Sequence, residues 1–579
     1  YGLVGSEMCI RDRNNQVNFF SKFTVLAADW SVFFKILLLA AVVLMISVFI
    51  YDRFIQRKNQ LLINYPLVGR LRYLFYLLRN PMRQYFGDET YYDSFEKLEW
   101  ISKVSQHQSP YLSFSTTFPQ SKQHTLFKHA NFVKEVSEVQ HDFSVTFGEQ
   151  HKYPFKTNSI IGRSAMSDGS ISPEGTRAFA RGAYREHFPI NTGEGGLTSN
   201  FLTLMRYDAL NSEFLEKKEG TIFAKTVYRI IYLITNSEIA HRVYRKMVVR
   251  QRDRGSFIFD RQSLVFFRIH WEKPIRYFPE EIPPGVPDII FQMESGLYGV
   301  RDNEGNFDPD RYAKVMRFCR MTEIKIAQGA KQTGGRLLAT KVSEDIAYYR
   351  GVKAHQDLFS PNRFPYAENM EMLMDFVEQL QDISQKPVGI KIVIASREHF
   401  EEYAKALKKR LDKGKKIVDF ITLDGGDGGS ATAPLEMMNR IGISIQASLL
   451  VVNAVLEQYG LREHIRIIAS EKVLTPDDVV ELLCYGADFV NIARGFMISA
   501  GCIRARQCSG ANGRDCPVGL ATMNEAKRSK YLVIEKSHHI ANYHRALLNG
   551  VSSLLAVMGK TEVSELGMED LNLRKKERC

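Results

Sequence analysis

Cysteine is scarce in this sequence, and its distribution excludes a disulfide-stapled fold. Only seven cysteines occur in 579 residues, an odd number scattered along a long chain rather than the dense pairs of a small secreted domain. Zinc-finger spacing and RNA-binding signatures are also absent. The net charge of +12 therefore indicates an anionic lipid or an anionic small molecule as partner, and no nucleic acid.

The fingerprint of a Rossmann domain is missing as well. No Gly-x-Gly-x-x-Gly follows a strand-like run with an acidic residue about 20 positions further on. Instead, short β-branched runs end in polar or glycine residues, and helical stretches follow at about 398–413, 434–459 and 475–486. This alternation predicts an α/β protein with parallel strands, in a barrel or a doubly wound sheet. The predicted strands are 323–326, 389–394, 419–423, 465–469 and 488–492.

Long apolar runs are few, and the clearest lies near the N-terminus. Residues 32–51 are almost wholly apolar, with Lys35 as the only charge, and about 20 such residues can cross a bilayer as a helix. The cations that follow indicate contact with lipid and place the C-terminal bulk of the chain in the cytoplasm. A cleaved signal peptide is disfavoured because the charges follow the apolar run and no small-residue cleavage site stands out. These cations are Arg53, Arg57, Lys58, Arg70, Arg72, Arg79 and Arg83.

The sequence divides into five predicted segments. Residues 1–13 match nothing that follows and read as a sequencing or cloning scar, so we exclude them from the fold. The predicted segments are a tail at 1–29, a single transmembrane helix at 30–52, an extension at 53–150, a barrel at 151–530 with a helical insertion at about 200–285, and a helical tail at 531–579.

Polar and glycine residues follow the predicted strands at one end. The Gly425–Gly429 turn lets backbone N–H groups approach an anion closely, although an ordinary tight turn has the same composition. Ala493-Arg494-Gly495 follows a later strand, where barrels commonly bind phosphate. Together these segments predict a phosphate-bearing cofactor. The further polar residues at strand ends are Lys325, Gln328, Lys391 and Ser470.

Two blocks of small residues precede the regular part of the chain. Ser164–Ser170 follows an apolar pair, and its small side chains would let a flat ring lie against the backbone. Asn191–Gly196 comes next and places Glu194 between glycines. Glu194 is a candidate for a positioned acid, with a surface turn as the alternative.

These blocks resemble the FMN-binding glutamate synthase family over roughly Asn64 to Glu565. The resemblance implies a (β/α)8 TIM barrel with one FMN and a 3Fe–4S cluster. In full-length glutamate synthase this domain reduces 2-iminoglutarate, formed from 2-oxoglutarate and ammonia, to L-glutamate. The matching blocks are Ser164–Ser170, Asn191–Gly196, Glu323–Lys331, Lys341–Gly351, Gly425–Gly429 and Cys516–Gly519.

The resemblance also implies a role for individual residues. A cation near the flavin N1–C2 carbonyl region stabilises the reduced, anionic ring, and two cations suit a dicarboxylate. Glu194 and Lys391 are the implied catalytic residues. The implied ring contacts are Ser164, Ala165, Met166, Ser167, Gln328 and Lys391; the phosphate contacts are Gly425, Gly426, Gly428, Gly429, Ser470, Ala493, Arg494 and Gly495; the substrate contacts are Lys331, Arg336 and Arg350.

Several positions depart from the family pattern. Cys502, Cys508 and Cys516 would bind the cluster, but seven residues rather than four separate the last two. The loop after Gly329 is one residue shorter than usual, and Arg336 replaces a glutamine. Two further departures are Glu471, which stands near a phosphate-side position usually occupied by glycine, and Asp168, which replaces an aromatic residue.

Neither an amidotransferase domain nor an NAD(P)H-binding domain is evident. Ammonia would come from solution or a partner, and electrons from an external donor such as ferredoxin or a reductase subunit. Three hypotheses follow: reductive amination of 2-oxoglutarate, flavin chemistry on another keto or imino acid, and a non-catalytic membrane-bound electron relay. The altered loop motivates the second hypothesis, and the anchor motivates the third.

Overall fold

The chain forms two compact units that divide between Glu89 and Thr90 in the computed structural model. Predictions for residues 1–33 and for Lys331 lie outside the described residues. The described residues are 34–77, 95–111, 125–205, 222–234, 240, 243, 257–259, 264–329, 335–429, 433, 436–437, 440–505, 507–508 and 515–573.

The smaller unit begins with an apolar helix, Phe34–Ile55, that is long enough to cross a membrane. By length and composition a signal sequence would pass the same test. The helix ends in a π-helical turn, where buried Asp52 accepts hydrogen bonds from Arg70 Nη2 at 2.6 Å and Nε at 2.8 Å. This pair ties the helix to the short helices that follow, which are Gln60–Asn64, Val68–Arg70 and Leu71–Leu77.

Eight parallel strands of the larger unit close into a barrel in sequence order, which confirms the predicted fold class. The barrel closes between the last and first strands, where Val490 pairs with Ile161. The strands are β1 Ile161–Arg163, β2 Ile190–Asn191, β3 Ile289–Met293, β4 Met321–Lys325, β5 Val388–Ile392, β6 Phe420–Asp424, β7 Arg466–Ser470 and β8 Phe489–Ile492.

Helices between and after the strands flank the barrel. The first begins after Ser172, whose side chain accepts the N–H of Gly175 and caps it. The last packs along the first, and Gly182 permits this approach because a Cβ there would lie 2.5 Å from Ile540. The helices are α1 Pro173–Glu186, α2 Pro309–Val315, α3 Met370–Ser384, α4 Arg397–Asp412, α5 Ile445–Gln458, α6 Pro476–Cys484, α7 Arg494–Ser499 and α8 Val533–Val557.

An antiparallel hairpin, Thr146–Phe147 with Phe155–Lys156, packs against one end of the barrel. Its Phe147 meets Phe420 and Phe489 edge-on at ring-centroid distances of 5.6 and 5.9 Å. Because these two residues begin β6 and β8, the hairpin closes the N-terminal end. The C-terminal ends of the strands therefore form the open mouth, where barrel enzymes carry their sites.

All five predicted strands are present as β4–β8, with bounds shifted by at most two residues. The helix predicted at 434–459 begins only at Ile445. The insertion is not wholly helical, which corrects the prediction for 200–285. Its described part has one helix, Ile222–Ile234, and a three-stranded antiparallel sheet of Thr203–Met205, Leu264–Phe267 and Phe257–Phe259.

Further short elements complete the described structure. After α8 the chain continues to Leu571–Leu573, which pairs antiparallel with Thr125–Phe127. A second short pair joins Arg336–Leu337 to Leu358–Phe359. The remaining helices are Phe95–Ser105, Glu344–Arg350 and Glu525–Arg528, with 3-10 turns at Val136–Glu138, Ile275–Tyr277, Ala339–Lys341, Val563–Glu565 and Met568–Asp570.

Candidate active site

A buried lysine between two glutamates lies at the mouth of the barrel. Lys325 ends β4, and its ammonium bonds to Glu194 and lies 3.5 Å from Oε1 of Glu294. Burial alone would lower the pKa of Lys325, but the two carboxylates outweigh it and raise that pKa above its ordinary value. The side chain of Glu194 is 27% exposed and that of Glu294 only 5%. Glu194 is therefore the member of the cluster that can exchange protons with solvent.

Arg350 adds a second buried cation to this cluster. It ends the helix Glu344–Arg350, and its Nη2 donates to the carbonyl oxygen of Asp168 at 3.0 Å. Its guanidinium lies 5.3 Å from the ring centroid of Tyr298. Burial lowers the pKa of Arg350, and the neighbouring Glu194 is the largest opposing influence. The predicted substrate contact Arg350 and the predicted acid Glu194 thus come together.

Gly195 holds the loop after β2 against Arg350, which gives a direct test of the packing. A Cβ at this position would lie 2.6 Å from Arg350 Nη2 and 2.9 Å from the Cβ of Ser167. We expect Gly195→Ala to lower the free energy of unfolding by about 1–3 kcal/mol through overpacking. Gly429→Ala is the matched control, because no atom of the described residues lies within 4 Å of its added Cβ. Equal unfolding midpoints for the two variants would contradict this packing.

The predicted ring-binding segment is shaped by the buried Arg163. Its Nη1 donates to the carbonyl oxygens of Ser164 and Met166, each at 3.1 Å. The hydroxyl of Ser164 lies 3.5 Å from that of Ser470, so the ends of β1 and β7 meet here. Burial lowers the pKa of Arg163 to about 9. Ala165 and Met166 are half-buried.

Asp168, which departs from the family pattern, fixes the other side of this segment. Its carboxylate accepts hydrogen bonds from Thr198 Oγ1 at 2.5 Å and Asn200 Nδ2 at 2.6 Å. Burial raises the pKa of Asp168, while these donors oppose the rise. The Asp168 side chain therefore joins two loops of the mouth.

Lys391 and Gln328 lie on neighbouring parts of the mouth. The ammonium of Lys391 is 3.5 Å from Oδ2 of Asp424, and the same oxygen accepts the N–H of Gly329 at 3.0 Å. Gln328 Nε2 donates to the carbonyl oxygen of Gly429 at 2.5 Å. An ammonium and a carboxamide side by side are suited to the polar edge of a flavin ring.

The Gly425–Gly429 turn fits its predicted phosphate role less well. Four of its N–H groups, those of residues 425–428, already donate to protein acceptors at 2.6–3.2 Å. The acceptors are the carbonyl oxygens of Ser470, Ile443 and Gly425 and the carboxylate of Glu471. Burial raises the pKa of Glu471, and its backbone hydrogen bonds oppose the rise. In this arrangement four of the five N–H groups of the turn are already engaged by the protein itself.

Ala493–Gly495, predicted on the same grounds, opens α7 at the end of β8. Gly495 packs against α8, because a Cβ there would lie within 1.9 Å of the Tyr543 hydroxyl. Because β7 and β8 are neighbouring strands, Ser470 at the end of β7 and Ala493–Gly495 after β8 lie at adjacent strand ends.

Of the other predicted substrate contacts, only Arg336 belongs to the described residues, and it is not at this cluster. Lys331 lies outside the described residues. The side chain of Arg336 is 57% exposed, donates to Asp357 Oδ2 at 2.7 Å and lies over the ring of Phe359. Both of these contacts lie in its own hairpin, Arg336–Leu337 with Leu358–Phe359.

The three clustered cysteines are close enough to affect one another electrostatically. Burial raises the pKa of Cys502 to about 11 and also raises that of Cys508, and the other thiols contribute. Lys341 Nζ donates to the carbonyl oxygen of Cys508 at 2.5 Å. Over the described part of the chain, however, no group of three His, Cys, Asp or Glu residues is arranged to hold a metal ion. The iron–sulfur cluster stays a prediction.

Sequence reasoning missed Glu294 and gave no role to Lys325 or Asp424. Glu294 follows β3, and the run Ile289–Met293 has the same form as the strands that were predicted. An apolar run followed by a charged residue was the signal available at that position.

A closed parallel barrel with paired acids and cations at its C-terminal mouth defines a (β/α)8-barrel enzyme. The family profile described as a conserved region in glutamate synthase matches residues 102–561. The chain belongs to the glutamate synthase family, and its class is that of oxidoreductases acting on CH–NH2 donors.

Relatives of this chain carry glutamate synthase names. The large subunit-like protein YerD of Bacillus subtilis (strain 168) is 29% identical over 90% of this chain and 91% of its own length. An archaeal glutamate synthase of Methanocaldococcus jannaschii is 28% identical, and the alignment covers 50% of this chain and 53% of that protein. For the large chain of Azospirillum brasilense, also 28% identical, the alignment covers 52% of this chain and only 18% of the relative.

Among solved structures, a double mutant of flavocytochrome b2 with pyruvate bound aligns over 90% of this chain and 93% of its own. Its sequence identity is 12% and its TM-score 0.41. Similarity at this level carries no argument about the site.

Proposed function

We propose that this protein is a flavin-dependent oxidoreductase that reduces 2-iminoglutarate, formed from 2-oxoglutarate and ammonia, to L-glutamate. The observation that carries the proposal is the cluster of Glu194, Lys325, Glu294 and Arg350 at the barrel mouth. It combines an exchangeable acid with buried cations, and membership in the glutamate synthase family supports the same chemistry.

Arg350 and Glu194 would perform different parts of the reaction. The Nε atom of Arg350 is buried and has no hydrogen-bond partner among the described residues, which favours binding of a substrate carboxylate. Lys331 is proposed for the second carboxylate. Glu194 would supply the proton that the imine nitrogen requires while the adjacent carbon is reduced. Lys325 would hold Glu194 in position for this transfer.

The flavin is proposed to be FMN, and when bound it would supply the hydride. Gln328 and Lys391 suit its polar edge, and the Lys391 ammonium would favour the reduced, anionic ring. The small side chains of Ser164, Ala165 and Ser167 would let the ring lie close to the backbone. Ser470 and Ala493–Gly495 are the proposed phosphate contacts, because the N–H groups of residues 425–428 are already engaged.

The remaining cofactor and partner proposals concern electron supply and location. An external donor such as ferredoxin or a reductase subunit would provide electrons. Cys502, Cys508 and Cys516 are the residues that would hold a 3Fe–4S cluster, whose chemistry would be electron transfer. The exposed apolar helix Phe34–Ile55 supports a single membrane span with a cytoplasmic catalytic domain.

A second substrate class is favoured by the charge balance of the mouth. Glu294 adds a buried negative charge beside Lys325, and Arg336 is occupied by Asp357. Both features reduce the positive charge that a dicarboxylate needs. The alternative is therefore a keto or imino acid with a single carboxylate.

An anaerobic reoxidation experiment separates these proposals. We expect the photoreduced protein, with its flavin at full occupancy, to be reoxidised by 2-oxoglutarate plus ammonia and to release one L-glutamate per flavin. Flavin absorbance measures reoxidation, and amino-acid analysis measures the product. Neither 2-oxoglutarate nor ammonia alone should reoxidise the flavin, because the imine forms only from both.

Three other results would each reject the first proposal. Reoxidation only by a monocarboxylic keto acid with ammonia would support the second substrate class. Exchange of electrons with a protein partner alone would support the relay hypothesis. A protein that takes up no flavin would exclude both catalytic proposals.

A further inference from the structure

The Gly425–Gly429 turn and the start of α5 present backbone donors of the kind that hold phosphate. A helix N-terminus carries partial positive charge, and glycine-rich turns place N–H groups close to an anion. The helix has 14 residues and begins at Ile445. In this chain donors from both elements converge on one side chain, that of Glu471.

Glu471 bridges the turn and the helix through its two carboxylate oxygens. Oε1 accepts the N–H of Asp427 at 2.6 Å, and Oε2 accepts the N–H of Ile445 at 2.9 Å. The carboxylate also fills the space beside Gly425, where a Cβ would lie 2.4 Å from Glu471 Cδ. An anion is thus already present where these donors meet.

The surrounding groups complete the arrangement. The N–H groups of Gly425, Gly426 and Gly428 donate to backbone carbonyl oxygens at 2.8–3.2 Å. Lys472 Nζ lies 3.0 Å from Asp427 Oδ2, which balances the second negative charge of the turn. An additional phosphate would meet two carboxylates and donors that are already engaged.

We propose that Glu471 is the resident anion of this turn and that it excludes the phosphate of the flavin from it. The inference rests on the proposed flavin function and makes Glu471 a determinant of cofactor recognition. The flavin is then recognised by its ring and by the ends of β7 and β8. A glycine near position 471, which the family resemblance leads one to expect, would instead leave the donors at Asp427 and Ile445 to an incoming anion.

The first arm of the test uses inorganic phosphate and needs no flavin. We expect phosphate to raise the unfolding temperature of full-length Glu471→Gly more than that of the wild-type protein, in which only the ends of β7 and β8 are open to phosphate. Asp427→Asn is the matched control, because it removes one negative charge from the same turn but leaves Glu471 in place. It should respond like the wild type. A phosphate effect of equal size in wild type and E471G, or none in either, would overturn the proposal.

The second arm compares FMN with riboflavin, which differ by the phosphate. The flavin-free proteins are titrated with each, and quenching of flavin fluorescence gives the two dissociation constants. E471G should increase the preference for FMN over riboflavin by at least about 10-fold relative to wild type and D427N. An unchanged preference would overturn the proposal, because it would mean that Glu471 does not affect binding of the flavin phosphate. If the wild type binds neither flavin, the proposed function fails, while the phosphate arm still decides the role of Glu471.

A third measurement applies if E471G does not fold. Glu471→Gln keeps the size of the side chain but offers one acceptor oxygen to two N–H groups. We expect faster amide hydrogen exchange at Asp427 and Ile445 in E471Q than in wild type. Exchange at the wild-type rate at both positions would show that the carboxylate does not hold the turn.

Discussion

Replacing Glu194 by glutamine is expected to lower the rate of imine reduction by about 10²–10⁴-fold, the usual contribution of a positioned acid. Glu194 bonds to the ammonium of Lys325 and is the most exposed carboxylate of the cluster. Glutamine preserves the size of the side chain but cannot deliver a proton to the imine nitrogen. Turnover in the anaerobic assay measures the effect, with kcat and kcat/KM followed as a function of pH.

Glu149→Gln is a suitable control for this variant. Glu149 lies at the hairpin end of the barrel, where its 68% exposed side chain is 3.5 Å from Arg466, so its loss should not change the rate. The E194Q variant should also lose the limb of the pH–rate profile that reports ionisation of the acid. Wild-type turnover in E194Q would mean that the proton comes from another group.

The strands that the sequence predicted, β4–β8, contain four or five residues each and include β-branched side chains, as does the missed strand β3. In β6 and β7, residues such as Ile421, Thr422, Ile467 and Ile468 are buried, as expected for a parallel strand covered on both faces. The strand β2 has only two residues, Ile190–Asn191. Such a strand gives no periodic signal and is fixed by hydrogen bonding to its neighbours on both sides.

The predicted start of α5 and the predicted helical character of the insertion were wrong, because distant residues help to determine both. The start of α5 at Ile445 is fixed by Ser444, which caps the helix, and by Glu471, which accepts the first N–H. Glu471 lies 26 positions further along the chain, so of these two signals only the Ser444 cap can be read locally. The sheet in the insertion likewise pairs Thr203–Met205 with Leu264–Phe267 across a long separation.

For the site, the sequence indicated which residues occupy strand ends but not how their charges pair. Glu194, Arg350 and Lys391 were predicted from motifs, and all three lie at the mouth. The pairing of Lys325 with Glu294, and of Arg336 with Asp357, depends on loops that meet only in the fold. Charge balance at the mouth, which bears most directly on substrate choice, is therefore a tertiary property.

Loss of the buried lysine is expected to have the largest effect on stability. Lys325→Met removes the cation between Glu194 and Glu294, and buried Glu294 loses the ammonium that lies 3.5 Å from its Oε1. Breaking a buried pair in this way costs about 3–5 kcal/mol. Lys416→Met is the comparison, because the pair of Lys416 with Asp382 is 40% and 60% exposed. Its loss should cost no more than about 1 kcal/mol, so the unfolding midpoint of K325M should fall much further.

A double variant tests whether the cause is the orphaned charge rather than lost packing. Lys325→Met combined with Glu294→Leu replaces both buried groups by apolar ones, and such replacements are often neutral or stabilising. Glu194 remains partly exposed to water, so the loss of the neighbouring Lys325 ammonium should cost little stability at that residue. We expect the double variant to unfold at a higher temperature than K325M while remaining inactive, because Glu194 has lost the lysine that positions it. If the double variant were no more stable than K325M, Glu294 would not be the source of the loss, and the lysine would stabilise the mouth through packing alone.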